Sequence, residues 1–194
     1  MLRLFLGAAL SMLPVVAQAH VGAGDAHGFS HGFMHPFSGL DHMLVMVAVG
    51  FLAAQKGGRA LWLVPTAFLV MMMVGGAAGM ARIGMPFVET GIGLSVVVLG
   101  LLVAFQISLP NAAAMLIVGL FALFHGHAHG AEMPAGASGL SYGFGFVAAT
   151  AFLHAAGIGL GMALGPLGRD HRRVAQLAGG AMSVAGLAIL GGAI

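Results

Sequence analysis

The sequence predicts an all-α fold: a polytopic membrane helix bundle of six transmembrane helices behind a cleavable signal peptide. Three observations carry this. Of the 194 residues, 60% are hydrophobic and only 6% are charged, and mean hydropathy is +1.04, a composition suited to lipid. Apolar stretches close to the ~20 residues that a bilayer-crossing helix needs recur along the chain. The breaks between them hold charge, Gly and Pro, as turns do.

At the amino terminus, Arg3, the apolar run Leu4 to Leu13 and the small-x-small triplet Ala17-Gln18-Ala19 read as a secretory signal cleaved after Ala19. Pro14 and the short apolar core speak against a retained helix. Cleavage would make His20 the mature amino terminus, on the outer side. The remainder, residues 20–194, reads as a single six-span membrane domain, with spans near 37–54, 61–80, 87–107, 110–126, 140–164 and 174–193. Lys56, Gly57, Gly58 and Arg59 divide the first two spans, Arg82, Gly84 and Pro86 the next pair, and Pro110 turns the chain into the fourth. Arg169, Asp170, His171, Arg172 and Arg173 form the last break.

With the amino terminus outside, Lys56, Arg59, Arg169, Arg172 and Arg173 face the cytoplasm and Arg82 the other side, which agrees with the positive-inside rule. An uncleaved leader would give the same orientation. The pairs Gly75/Gly79, Gly157/Gly161 and Gly161/Gly165 stand four residues apart, a spacing that lets helix backbones approach in lipid. No internal repeat is evident.

The chain has no cysteine, which excludes disulfides and thiolate metal sites and leaves imidazole, carboxylate and thioether as ligands. Seven Lys and Arg, scattered against five acids, form no nucleic-acid footprint.

On this topology His20, His27, His31, His35, His42, His125, His127 and His129 fall at the outer face, His154 lies mid-span and His171 is cytoplasmic. Such asymmetry suits a site that meets something arriving from outside. In HPFSGLDH, His35 precedes a proline suited to a helix start, and Asp41 and His42 lie inside the helix. Seven residues separate His35 from His42, about 10 Å along a helix axis. One ion reaches both only if the backbone bends at Pro36 or Gly39. Asp41 is either a ligand or the carboxylate that orients an imidazole from another span, since ionisable groups inside spans mark function.

In FHGHAHGAE, His125, His129 and Glu132 sit at i, i+4 and i+7, one stripe if the helix persists through Gly126 and Gly130, with His127 facing away. Should the glycines unwind it, all three histidines converge. Either way several nitrogen ligands and one oxygen ligand gather at the outer mouth. His154 is a deeper ion station, a proton acceptor, or a histidine bonded to a backbone carbonyl. Glu89 joins the mouth or sits at the interface. GLSYG, residues 139–143, matches a nucleophile pattern that requires a strand, a turn and a helix, but here it opens a membrane helix. Met71 to Met73 read as packing or lipid-facing residues.

HPFSGLDH, of the form H-x5-D-H, and FHGHAHGAE together resemble the HupE/UreJ family of nickel and cobalt permeases, over nearly the whole mature chain. The resemblance implies six spans and import of Ni2+, or Co2+ in some members, from the periplasm for hydrogenase, urease or cobalamin synthesis. It implies that His35, Asp41 and His42, and His125, Gly126, His129, Gly130 and Glu132, carry the family's motifs; His127 holds a variable position.

The reading is therefore an ATP-independent permease, not an enzyme, in the bacterial inner membrane with a periplasmic mature amino terminus. Metal ligands are expected among His20, His35, Asp41, His42, His125, His127, His129, Glu132 and His154. The partners are the divalent ion as cargo, the lipid bilayer and, compatibly, further copies of the chain. No permanently bound cofactor is expected. The same ligands suit Ni2+, Co2+, Zn2+ and Cu2+, so selection rests on geometry and availability. Two rivals are a zinc-dependent intramembrane hydrolase, with three histidines on Zn2+ and Asp41 or Glu132 as base, and a periplasm-facing metal sensor or chaperone that never conducts.

All three predict that metal binding weakens as pH falls through ~6.5, where unperturbed imidazole protonates. Ni2+ titrations of the purified protein above and below that pH should show affinity dropping on acidification. An unchanged affinity would remove imidazole from the ligand set.

Overall fold

The structure, a computed structural model, describes residues 25–133, 138–164 and 169–193. These form α1 (Asp25–Met34), a 3-10 turn (His35–Phe37), α2 (Leu40–Lys56), α3 (Ala60–Met80), α4 (Val88–Phe105), α5 (Asn111–Ala131), α6 (Gly139–Ala163) and α7 (Arg169–Leu190), with no strand among the described residues. The predicted signal peptide and His20 lie outside them. Helices α3 to α7 are each long and apolar enough to cross a membrane. This is a multi-pass membrane protein.

The first expected span, 37–54, corresponds to α2, whose 17 residues rise about 26 Å, at the short end of what crosses a ~30 Å hydrocarbon core. The segment before it meets it at a bend of 82°. That segment, α1 and the 3-10 turn, was not legible as a helix because DAHGFSHGFM mixes polar and apolar residues. Its aromatic rings give it a face: Phe29 stacks on Phe33 at 6.1 Å and Phe33 meets Phe37 at 5.9 Å. The helix packs along α6. Pro36 in the turn and Gly39 ahead of α2, the two positions at which a bend was expected, bracket the corner.

Turn chemistry at the other ends follows the sequence. Gly57 and Gly58 take φ of +66° and +52° after α2, a backbone region glycine enters at little cost. Pro110 opens α5. Ser138 caps α6 by accepting from the Ser141 amide at 3.4 Å, so GLSYG is a helix start.

Three close helix pairs build the bundle: α3 with α5, α4 with α7, and α2 with α6. The first pair positions the site. A Cβ on Gly126 would lie 2.0 Å from the Met72 carbonyl oxygen, and one on Gly130 would lie 2.1 Å from that of Gly76. No side chain fits there. The glycines of the histidine motif therefore do not unwind α5, which runs unbroken to Ala131; they let it touch α3 backbone to backbone. Below the histidines, Val45, Val49, Leu52, Val64, Phe68, Val96 and Leu99 close an apolar core.

Gly126→Ala and Gly130→Ala should each lower thermal stability in detergent by the 1–3 kcal/mol or more of an overpacked core. Gly143→Ala, where a Cβ would meet nothing within 4 Å, should be neutral or slightly stabilising. Equal melting temperatures for all three would contradict the contact.

Candidate metal centre

Continuity of α5 puts His125, His129 and Glu132 on one stripe and turns His127 away. The His127 Nε2–H donates to the Ile83 carbonyl at 2.7 Å, outside the cluster. Glu132 caps α5, and its Oε2 lies 3.3 Å from His35 Nε2. The ligand atoms of His35, His129 and Glu132 all lie within 4.8 Å of one another. The 82° corner makes this contact: His35 swings over α5 while His42, one residue after Asp41, drops beside it.

Beneath this group the imidazoles form a line. The His129 ring is 4.6 Å from that of His35 and 4.1 Å from that of His42, and His42 is 4.6 Å from His125. His125 lies one turn of α5 below His129, about 6 Å deeper. Of the fourth-span histidines expected at the outer mouth, His129 joins the group with His35 and Glu132. His129 is 4% and His125 0% exposed, with His42 also buried, because glycine contact draws α5 into the bundle.

Hydrogen bonds set which nitrogens carry lone pairs. Asp41 Oδ1 accepts from both the backbone N–H and the Nδ1–H of His42, each at 2.9 Å. Asp41 therefore orients its own neighbour rather than an imidazole from another span. Neutral His42 then offers its lone pair at Nε2, a buried atom without a hydrogen-bond partner. The Ser95 hydroxyl donates to the Ile92 carbonyl at 2.6 Å, so at 2.8 Å its oxygen accepts from His125 Nε2–H, leaving His125 Nδ1 as the free acceptor. Neither nitrogen of His129 has a partner.

His154 sits deeper, 2% exposed, and neither of its nitrogens bonds a carbonyl. Phe68 stands between it and the line, 6.1 Å from the His125 ring and 5.1 Å from the His154 ring. Glu89 is exposed and His31 is exposed on α1, and neither belongs to the three-ligand group.

Sequence reasoning passed over three neighbours. Ser95 had a signal, as a lone hydroxyl inside an apolar span. Phe146, 4.2 Å from the His129 ring, and Tyr142, 5.9 Å from the His35 ring, had none beyond their place on α6.

The sequence model described as HupE / UreJ protein matches residues 8–189. The chain belongs to the HupE/UreJ family. Protein HupE of Rhizobium leguminosarum bv. viciae is 51% identical over 180 residues, 93% of each chain. No solved structure matches. Within this HupE/UreJ chain the two histidine motifs, remote in sequence, meet in one cluster.

Since Asp41 fixes the His42 tautomer, Asp41→Asn should weaken Ni2+ binding by the roughly 10–100-fold typical of losing such a partner. Isothermal titration of the purified variant checks this. Native affinity in Asp41→Asn would mean that His42 Nε2 takes no part.

Proposed function

We propose that this protein is a secondary, ATP-independent permease of the inner membrane that imports Ni2+, and Co2+ as the next candidate, from periplasm to cytoplasm. Family membership supports the metal, since the HupE/UreJ motifs imply nickel or cobalt uptake. The observation that carries the mechanism is the row of buried imidazoles leading inward from a three-ligand mouth.

The cargo ion meets His35, His129 and Glu132 first, two nitrogens and a carboxylate oxygen. His129 touches both this group and His42, so it is the hinge of the transfer. Release from Glu132 and His35 is matched by capture on His42 Nε2, oriented by Asp41, and then on His125 Nδ1, oriented by Ser95. Partial ligand sets keep each station labile, as conduction requires. Phe68 separates His125 from His154, and passage to His154 needs that ring to move. The basic residues at the opposite ends of the spans, Lys56, Arg59, Arg172 and Arg173, support a periplasmic mouth.

Uptake of radioactive Ni2+ and Co2+ in cells lacking their own nickel transporters tests the proposal. The native chain should accumulate the ion, and His42→Ala and His129→Ala, at matched membrane levels, should abolish accumulation. His127→Ala should retain it. A native chain that accumulates neither ion while the purified protein holds one stoichiometric zinc would sink the permease reading.

A further inference from the structure

The structure assigns to this chain a second metal site, for a soft monovalent cation of the Cu(I) type, built from the thioethers of Met73, Met80 and Met133 beside His129. It rests on the reading of His129 as a metal ligand, not on transport. A cavity of about 270 Å³ lies between α3, α5 and α6, with Met72, Met73, Met80, His129, Tyr142 and Phe146 in its lining. At its outer end two sulfurs converge. A Cβ on Gly139 would stand 3.3 Å from Met80 Sδ and 3.6 Å from Met133 Sδ. Met72 is excluded from the set because its sulfur accepts from the Thr150 hydroxyl at 3.6 Å.

The nitrogen comes from His129, which lines the cavity, is 4% exposed and has no hydrogen-bond partner at either ring nitrogen. Leucine would fill an apolar lining as well as methionine does, but only methionine adds a polarisable donor on a flexible stem. Thioethers select soft ions such as Cu(I), whereas hard, strongly hydrated cations need six or more oxygen ligands, and Tyr142 brings the one side-chain oxygen of this lining. The chain has no cysteine, so no thiolate competes for such an ion. Because His129 belongs to the divalent mouth as well, a soft ion held here takes a nitrogen from the Ni2+ group. The site makes Cu(I) an inhibitor acting from the flank.

Ag+, a redox-stable analogue of Cu(I), is the probe. The purified full-length protein is titrated with Ag+ and, separately, with Ni2+, and compared with the triple variant Met73→Leu, Met80→Leu, Met133→Leu, a volume-conserving change that cores tolerate. The triple variant should lose at least about tenfold in Ag+ affinity, ~1.4 kcal/mol, while its Ni2+ affinity stays within about twofold. His129→Ala should weaken both ions. Unchanged Ag+ affinity in the triple variant, or no Ag+ binding by the native chain, overturns the site. A parallel loss of Ni2+ affinity in the triple variant overturns its separateness. Because binding is read without flux, a chain that holds Ag+ as expected yet moves no Ni2+ would fail the permease reading alone.

Discussion

Backbone contact between α3 and α5 is the constraint on which the rest depends. With Gly126 and Gly130 against the carbonyls of Met72 and Gly76, α5 has one rotation about its axis that avoids collision. That rotation sends His125 and His129 inward and His127 out toward Ile83. The alternation of glycine and histidine in FHGHAHGAE thus joins two requirements. Gly126 and Gly130, four positions apart, face the partner helix, and His125 and His129, each one position before a glycine, occupy the adjoining strip that faces α2 and α6. One helix surface supplies both the adhesive and the chemistry, in lipid where burial of apolar surface gives helices no reason to associate.

The same contact keeps polar atoms where they are costly. A buried nitrogen without a hydrogen bond costs about 1–3 kcal/mol, and His42, His125, His129 and His154 each hold at least one. A bundle relying on looser packing would relax by turning these rings toward the surface. Here Asp41 and Ser95 fix two of the four rings from behind, and Phe146 and Phe68 wall the rest. Orientation from outside the ligand set and enclosure by aromatic rings together hold lone pairs in readiness for an ion.

What the sequence revealed and what it concealed divide along one line. The spans after the first were legible from apolar length, and the i, i+4, i+7 stripe was legible from helix geometry, because both depend on neighbours along the chain. The corner at Pro36 and Gly39 was foreseen as the condition for His35 and His42 to serve one ion; that it is made by an extra helix, α1, was not, since Gly32 becomes a packing residue only once the Tyr142 backbone of α6 lies against it. Likewise Asp41 reads from the sequence as a ligand or as the carboxylate that orients an imidazole from another span, but spacing cannot say which donor a carboxylate meets, and the closest donors are those of His42. The lone hydroxyl of Ser95 could be noticed but not its partner, and Phe68 gave no signal, because each acquires meaning from a residue some 30 to 86 positions distant, such as His125 or His154.

The arrangement also bears on whether the metal stays or moves. A hydrolytic zinc of the kind first considered needs three histidines converging on one point and a carboxylate free to take a proton. Among the described residues the one group of close ligand atoms contains two histidines, and its carboxylate is itself a member. The other carboxylate, Asp41, has one oxygen occupied by two N–H donors of His42. What lies below the mouth is a succession of single imidazoles, each within ring contact of the next and each presenting one lone pair. A fixed catalytic ion gains nothing from such a succession. A migrating ion gains a next ligand before it has released the last, and the barrier between stations falls by the share of the coordination that is never broken.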